Sequence, residues 1–238
     1  MFPIDIDPNI TVFGQFTLSW HGLFTGVAMV AAVWLALLLA SRHGLNEDDI
    51  YSVALFSIIG GIVGARLFHV IDEIDFYAQN PLAVFAFWNG GVAIYGGIVG
   101  GAVTCYLVTR LKRLPVGQVM DIGALSLILG QAIGRLGDVI NGEHHADETT
   151  LPFSVRYVHP NTLGELNRPV HLAVGYELLW DVLIFGVLAV TLGKLRRPGM
   201  VFWIYAGLYG IGRFALSFLR EDRIVAFGLR QAQIVAFI

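Results

Sequence analysis

Six apolar stretches, each close to the length of a membrane-spanning helix, constrain this chain more than anything else in it. They run roughly from residue 18 to 40, 51 to 71, 91 to 108, 116 to 133, 172 to 192 and 199 to 219. A hydrocarbon core takes about 20 apolar residues per helix, and it admits only structures whose backbone polar groups are satisfied internally. A seventh run opens at Gly228 and stops at Ile238. It has about half the length needed to span and is either an interfacial stub or the beginning of a further helix. With 56% apolar residues, 14% charged residues and a mean hydropathy of +0.69, 238 residues cannot supply the surface of a soluble domain. No internal repeat and no Ser-, Gln- or Pro-rich linker divides the runs, so residues 1–238 read as a single membrane domain.

A net charge of -3 gives no reason to expect a nucleic-acid partner. The single cysteine, Cys105, lies inside an apolar run and reads as a small buried side chain. The first residues carry acids and no Lys or Arg before the first run, unlike a cleaved signal peptide. Basic residues fall in alternate loops: Arg42, then Arg110, Lys112 and Arg113, then Lys194, Arg196 and Arg197. The opposite set begins with an N-terminal segment and a loop around Asp72, Glu73 and Asp75 that have none. The positive-inside rule therefore places the N-terminus, residues 143–169 and the turn at 220–223 outside. Within 143–169, His159-Pro160 and Arg168-Pro169 interrupt any regular helix, which predicts a small cap or lid.

The stretch from Gly130 to Ala146, GQAIGRLGDVINGEHHA, carries the densest chemistry. Arg135 arrives at membrane depth, where an arginine costs about 2.5–3.5 kcal/mol even on the lenient insertion scale. Gly134 and Gly137 beside it leave room for another helix or a lipid head group to approach the backbone. Asp138, Asn141, Glu143, His144 and His145 follow closely. The plain alternative is a helix end in which Arg135 pairs with Asp138 one turn on. Arg66 and Arg213 likewise lie toward the outer ends of apolar runs. Guanidinium forks match phosphate oxygens bidentately, so the three arginines together suggest a receptor for an anionic phospholipid head group. Structural pairing with Asp121, Asp138, Glu177 or backbone carbonyls, or snorkelling to the interface, is the other account. His144 and His145 are adjacent rather than three or four apart and have no cysteine nearby, so no metal and no cofactor is expected.

The third run contains Ile94-Tyr95-Gly96-Gly97 followed by Gly100-Gly101. Small residues four apart signal helix packing in membranes, while the phenol of Tyr95, flanked by glycines, is left reachable.

The string from Gly134 to Glu143, GRLGDVINGE, resembles the signature of the prolipoprotein diacylglyceryl transferases, G-R-x-G-N-x-x-N-x-E with a glycine three residues later. Asp138 stands at the asparagine and Ala146 at the closing glycine. The resemblance extends along the chain. Trp20-His21-Gly22 is similar to Trp-Tyr-Gly, Gly64-Ala65-Arg66 to Gly-Ala-Arg, Tyr176-Glu177 to a Tyr-Glu pair, and Tyr209, Arg213-Phe214 and Arg220 to a Tyr, an Arg-Phe and a later Arg. Tyr95-Gly96-Gly97 occupies the place of a His-Gly-Gly motif, and Ser217 that of a glutamate. The last residues, GLRQAQIVAFI, resemble the start of the family's last helix, and this favours a truncated seventh helix over residues 228–238.

The resemblance implies an all-α polytopic membrane protein with six full transmembrane helices, a truncated seventh, and an extracytoplasmic cap at 143–169 between the fourth and fifth. It also implies a multi-pass enzyme of the bacterial plasma (inner) membrane whose active site faces the outer leaflet. Its reaction would move the diacylglyceryl group of phosphatidylglycerol to the lipobox cysteine of a prolipoprotein signal peptide, with the lipid bilayer as its surroundings. Catalytic candidates are Arg135 and Arg213 on the leaving phosphate, Tyr95 or His21 as base, and Glu143. Binding candidates are Arg135, Arg66, Asn141, Asp138, Gly134, Gly137 and Tyr209. If Tyr95 and His21 approach each other, the His and Tyr roles are exchanged between two helices. Two rival classes stay open. A transporter would bring paired repeats and interrupted helices, and a non-catalytic relative that binds anionic phospholipid would keep the arginines and lose the base.

Overall fold

A computed structural model describes residues 1–14, 16–86, 90–143, 145–220, 224–226, 229–230 and 233. Among them, six helices are long and apolar enough to cross a membrane. They are α1 (Trp20–Arg42), α2 (Glu47–Asp72), α4 (Ile94–Leu111), α5 (Val116–Asn141), α6 (Ala173–Thr191) and α7 (Met200–Leu216), the last continued by a 3-10 turn at Ser217–Leu219. The protein is an all-α polytopic membrane protein. A short helix α3 (Ile74–Gln79) and a 3-10 turn at Pro81–Phe85 follow α2, in what the sequence reads only as an acidic loop.

The chain divides into two compact units, one of Met1–Leu35 with Met120–Ile238 and one of Ala36–Val119. In the second unit, α2 begins at Asn46, whose side chain accepts from the Asp49 backbone N–H, with Glu47, Asp48 and Asp49 in the first turn to complement the helix dipole. Its glycines then meet those of α4. A Cβ at Gly61 would lie 3.4 Å from the Gly97 carbonyl, and one at Gly100 would lie 2.9 Å from the Gly64 Cα. These glycines bring two backbones together, the packing account of their spacing.

In the first unit, the N-terminal residues form a hairpin of β2 (Asn9–Phe13) and β3 (Phe16–Ser19) that leads directly into α1. Ser19 caps α1 by accepting from the Gly22 N–H at 3.1 Å. β1 (Phe2–Ile4) pairs in parallel with β4 (Val155–Tyr157), so the N-terminal segment and the predicted cap form one structure. Bridges from Glu148 and Val155 to Val170 close the cap around Ala146, Val155, Tyr157, Val170 and Ala173. Burial pushes the Tyr157 phenol up to about 12, and its hydroxyl donates to the Val139 carbonyl at 2.9 Å. The cap extends a little beyond the expected 169.

Two boundaries differ from the sequence reading. The fourth run continues as helix through Asn141 rather than ending near 133, so nearly the whole signature is helical. Gly142 stops it at φ +75°, with the N–H groups of Gly142 and Glu143 both donating to the Asp138 carbonyl. Within the apolar run at 228–238, Gln233 is helical and two residues are not. Leu229–Arg230 is a strand, β6, paired with β5 (Ile224–Ala226), and most of the rest lies outside the described residues. So do Asn89, His144 and the turn residues 221–223.

Candidate active site

α6 carries Glu177 and Asp181 four residues apart, which puts both carboxylates on one helix face inside an apolar segment. Both are buried. Arg135 of α5 reaches them, donating from Nε to Asp181 Oδ2 at 2.5 Å and from Nη1 to Glu177 Oε2. Arg213 of α7 donates from Nη1 to Glu177 Oε1 at 2.6 Å. Arg220, just beyond the 3-10 turn, donates from Nη1 to the same carboxylate at 3.0 and 3.3 Å. Three guanidiniums thus surround one glutamate, and this is how their presence at membrane depth is tolerated.

The donors are engaged unequally. Among the described residues, Nη2 of Arg135 and both Nε and Nη2 of Arg213 have no hydrogen-bond partner. Tyr209 lies close enough to Arg135 to interact electrostatically, and its ring stacks on Tyr205 at 5.8 Å. Tyr205 in turn donates to Gln131 at 3.1 Å.

A second polar group lies where α1 begins. His21 Nδ1 is 2.6 Å from Asp138 Oδ1 and 3.4 Å from Glu143 Oε1. Asn141 Nδ2 donates to Glu143 Oε1 at 3.1 Å, while the buried Asn141 Oδ1 has no partner among the described residues. Gly137 makes the approach possible, because a Cβ there would meet the His21 Cα at 2.8 Å and the Trp20 carbonyl at 3.0 Å. Gly137 is therefore a packing glycine, whereas a Cβ at Gly134 would meet nothing within 4 Å. One donor atom each from His21, Asp138 and Glu143 lies within 4.8 Å of the others, the one group of metal-ligating chemistry at such spacing among the described residues. The contact of Nδ1 with Asp138 accounts for that proximity as a hydrogen bond. A cavity bounded by Gly142, Glu143, His145, Glu165 and His171 adjoins the end of α5.

The plain pairing of Arg135 with Asp138 does not occur, since each turns to a different helix. Asp121, offered as an arginine partner, instead accepts from the N–H groups of Gly199 and Phe202 at 2.7 and 2.9 Å and caps α7. Arg66, in the second unit, donates to the carbonyls of Ala83, Val84, Ala86, Gly90 and Gly91. Those five bonds match the five donors of a guanidinium, so the backbone-carbonyl account describes Arg66. Tyr95 is half-buried in the first turn of α4, its hydroxyl without a hydrogen-bond partner among the described residues.

Asp181 was missed by sequence reasoning. The available signal was two carboxylates four apart in one apolar run, each unaffordable there without a cation. Arg220, read as part of a turn on the outer side and as matching a family arginine, is buried at 3% exposure, its backbone bridged to Ala146.

The sequence profile of the family described as prolipoprotein diacylglyceryl transferase matches residues 8–238. The chain belongs to that family. Among similar proteins are three named phosphatidylglycerol--prolipoprotein diacylglyceryl transferase. That of Trichormus variabilis is 36% identical over 96% of this chain and 84% of its own length. That of Clostridioides difficile is 35% identical over 96% of this chain and 88% of its own. That of Staphylococcus haemolyticus is 34% identical over 98% and 84%. Within the family signature, the position usually held by asparagine is the Asp138 that meets His21, itself at a position usually held by tyrosine. The two departures touch each other. Ser217, at the usual glutamate, is buried and donates to the Phe214 carbonyl at 2.7 Å.

Proposed function

We propose that this chain transfers the diacylglyceryl group of phosphatidylglycerol to the lipobox cysteine of prolipoproteins, the first step of lipoprotein maturation. The observation that carries this reading is the gathering of Arg135, Arg213 and Arg220 around Glu177, with donors of Arg135 and Arg213 left over.

In this reaction the cysteine sulfur forms a bond to a glycerol carbon while the carbon–oxygen bond to phosphate breaks. The electron pair leaves on the phosphate as glycerol phosphate departs. Developing charge is therefore on phosphate oxygens, where fixed guanidinium donors in a water-poor site are most effective. Arg135 and Arg213 take that role. The attacking group is a thiolate, so the thiol proton needs an acceptor. His21 serves as that acceptor, and Tyr95 is the competing candidate. Asn141, with an unpaired buried oxygen, accepts from a hydroxyl of the glycerol head group, and Glu143 holds Asn141 in position. Tyr209 borders the phosphate site beside Arg135. Arg66 holds the carbonyls of Ala83, Val84, Ala86, Gly90 and Gly91 ahead of α4.

The enzyme lies in the bacterial plasma membrane with its N-terminus and cap outside and its site toward the outer leaflet. The Lys and Arg bias of alternate loops and the pairing of β1 with β4 both support this orientation. The lipid-binding relative is favoured by one observation: Ser217 brings no carboxylate to its position and its hydroxyl donates to the backbone.

The test is thioether formation on a synthetic lipobox peptide by the purified protein in micelles containing phosphatidylglycerol, read by mass spectrometry. Modification by the parent and its loss in Arg135→Ala are expected. Binding of phosphatidylglycerol without any transfer would replace this reading with the lipid-binding relative.

A further inference from the structure

We infer that Asp138 is a positioning residue for His21, fixing the imidazole so that its Nε2 is the proton acceptor for the substrate thiol; the inference rests on the transfer reading above. A carboxylate oxygen only accepts hydrogen bonds, so the 2.6 Å contact between Asp138 Oδ1 and His21 Nδ1 places a proton on Nδ1. In the neutral ring the lone pair is then on Nε2. Glu143, 3.4 Å from the same Nδ1, presents a second carboxylate to that edge of the ring and reinforces the choice. Nε2 points the other way, without a hydrogen-bond partner among the described residues, on a side chain that is 45% exposed.

The backbone holds this arrangement in place. Ser19 caps the helix that begins one residue before His21, and Trp20 is tied by its backbone N–H to the Pro8 carbonyl at 3.0 Å and by its indole to the Asp7 carbonyl at 3.1 Å. The missing side chain of Gly137 lets the His21 backbone lie against α5 beside Asp138. A histidine oriented through Nδ1 by a carboxylate, with Nε2 open toward a reacting group, is the arrangement that prepares a weak nucleophile elsewhere in enzymology. Here the thiol proton passes to Nε2, the sulfur becomes the thiolate that attacks the glycerol carbon, and the imidazolium formed is stabilised by Asp138. The proton then leaves to the departing phosphate or to water, which restores the neutral ring.

The experiment compares the parent with Asp138→Asn, His21→Phe and the double variant in the micelle assay, together with 15N spectra of histidine-labelled protein. The His21 signals are assigned by their loss in His21→Phe. The Nδ1–H tautomer is expected in the parent, and a shift toward Nε2–H in Asp138→Asn. Asp138→Asn should lower kcat about a hundredfold with KM for phosphatidylglycerol unchanged, because it misplaces a base that contributes about 10²–10⁴. The double variant should be no slower than His21→Phe alone, as for residues acting as one unit. A raised KM with kcat intact would make Asp138 a lipid ligand and overturn the inference. So would multiplied losses in the double variant, an Nε2–H tautomer in the parent, or normal kcat per folded molecule in Asp138→Asn. If the parent transfers nothing, the transfer reading fails and the acceptor role of His21 with it. If the parent transfers and Asp138→Asn matches it, only the dyad fails.

Discussion

Glu177→Gln is the sharpest probe of how the buried charges hold one another. The glutamate side chain is 3% exposed and accepts from Arg135, from Arg213 at 2.6 Å and from Arg220 at 3.0 and 3.3 Å. Glutamine keeps the volume but removes the charge and turns an amide donor toward cations that have only donors. Three guanidiniums would then face Asp181 alone. Removing one partner of a buried ion pair costs about 3–5 kcal/mol. At about 2–4 °C per kcal/mol for a domain of this size, the apparent Tm should fall by about 6–20 °C. The assay is thermal unfolding in detergent micelles followed by tryptophan fluorescence at one fixed scan rate, because membrane proteins commonly unfold irreversibly. Adding Arg220→Gln returns the cluster to its original excess of one positive charge. The double variant should therefore recover about 0.5–3 kcal/mol relative to the sum of the single losses. A Glu177→Gln melt within about 2 °C of the parent, or strictly additive losses in the double variant, would refute the reasoning.

Three further outcomes are expected. Arg135→Lys should lose most transferase activity in the peptide assay, since an ammonium cannot reach Glu177, Asp181 and a phosphate with one fork; near-parental turnover would reduce the role of Arg135 to generic charge. Thermal stability should decline above pH 10 and keep declining until about 12. The buried Tyr157 phenol stays protonated there in the folded state while the unfolded chain releases its proton, worth at most about 2–3 kcal/mol, and Tyr157→Phe should flatten this part of the melt series. A cysteine at position 112 should resist an impermeant thiol reagent in intact cells while one at position 161 reacts; labelling at 112 from outside would invert the proposed orientation.

Chain order alone determined what depends on local composition. Six apolar runs became six helices, with shifts of a few residues everywhere but at the end of the fourth, because a segment in hydrocarbon must satisfy its own backbone whatever its neighbours do. The glycines of the third run were legible as packing residues for the same reason of repeat and size, whereas the second-run glycines they meet came only from the fold. The helical signature was misjudged at its end because Asp138 and Asn141 look like loop residues, and only Gly142 with its positive φ stops the helix. The sequence offered Glu177 and backbone carbonyls among the possible partners of the arginines but could not assign them. Arg135 is 42 residues from Glu177, and His21 is 117 residues from Asp138. Which carboxylate answers which cation depends on helix rotation, and on backbone approaches such as that of α1 to Gly137, where one absent side chain decides the distance. Arg66 and Arg135 look alike in sequence, each a lone arginine near glycines. The fold gave one of them five loop carbonyls and the other two buried carboxylates, because a guanidinium away from water takes whichever acceptors its helix face presents.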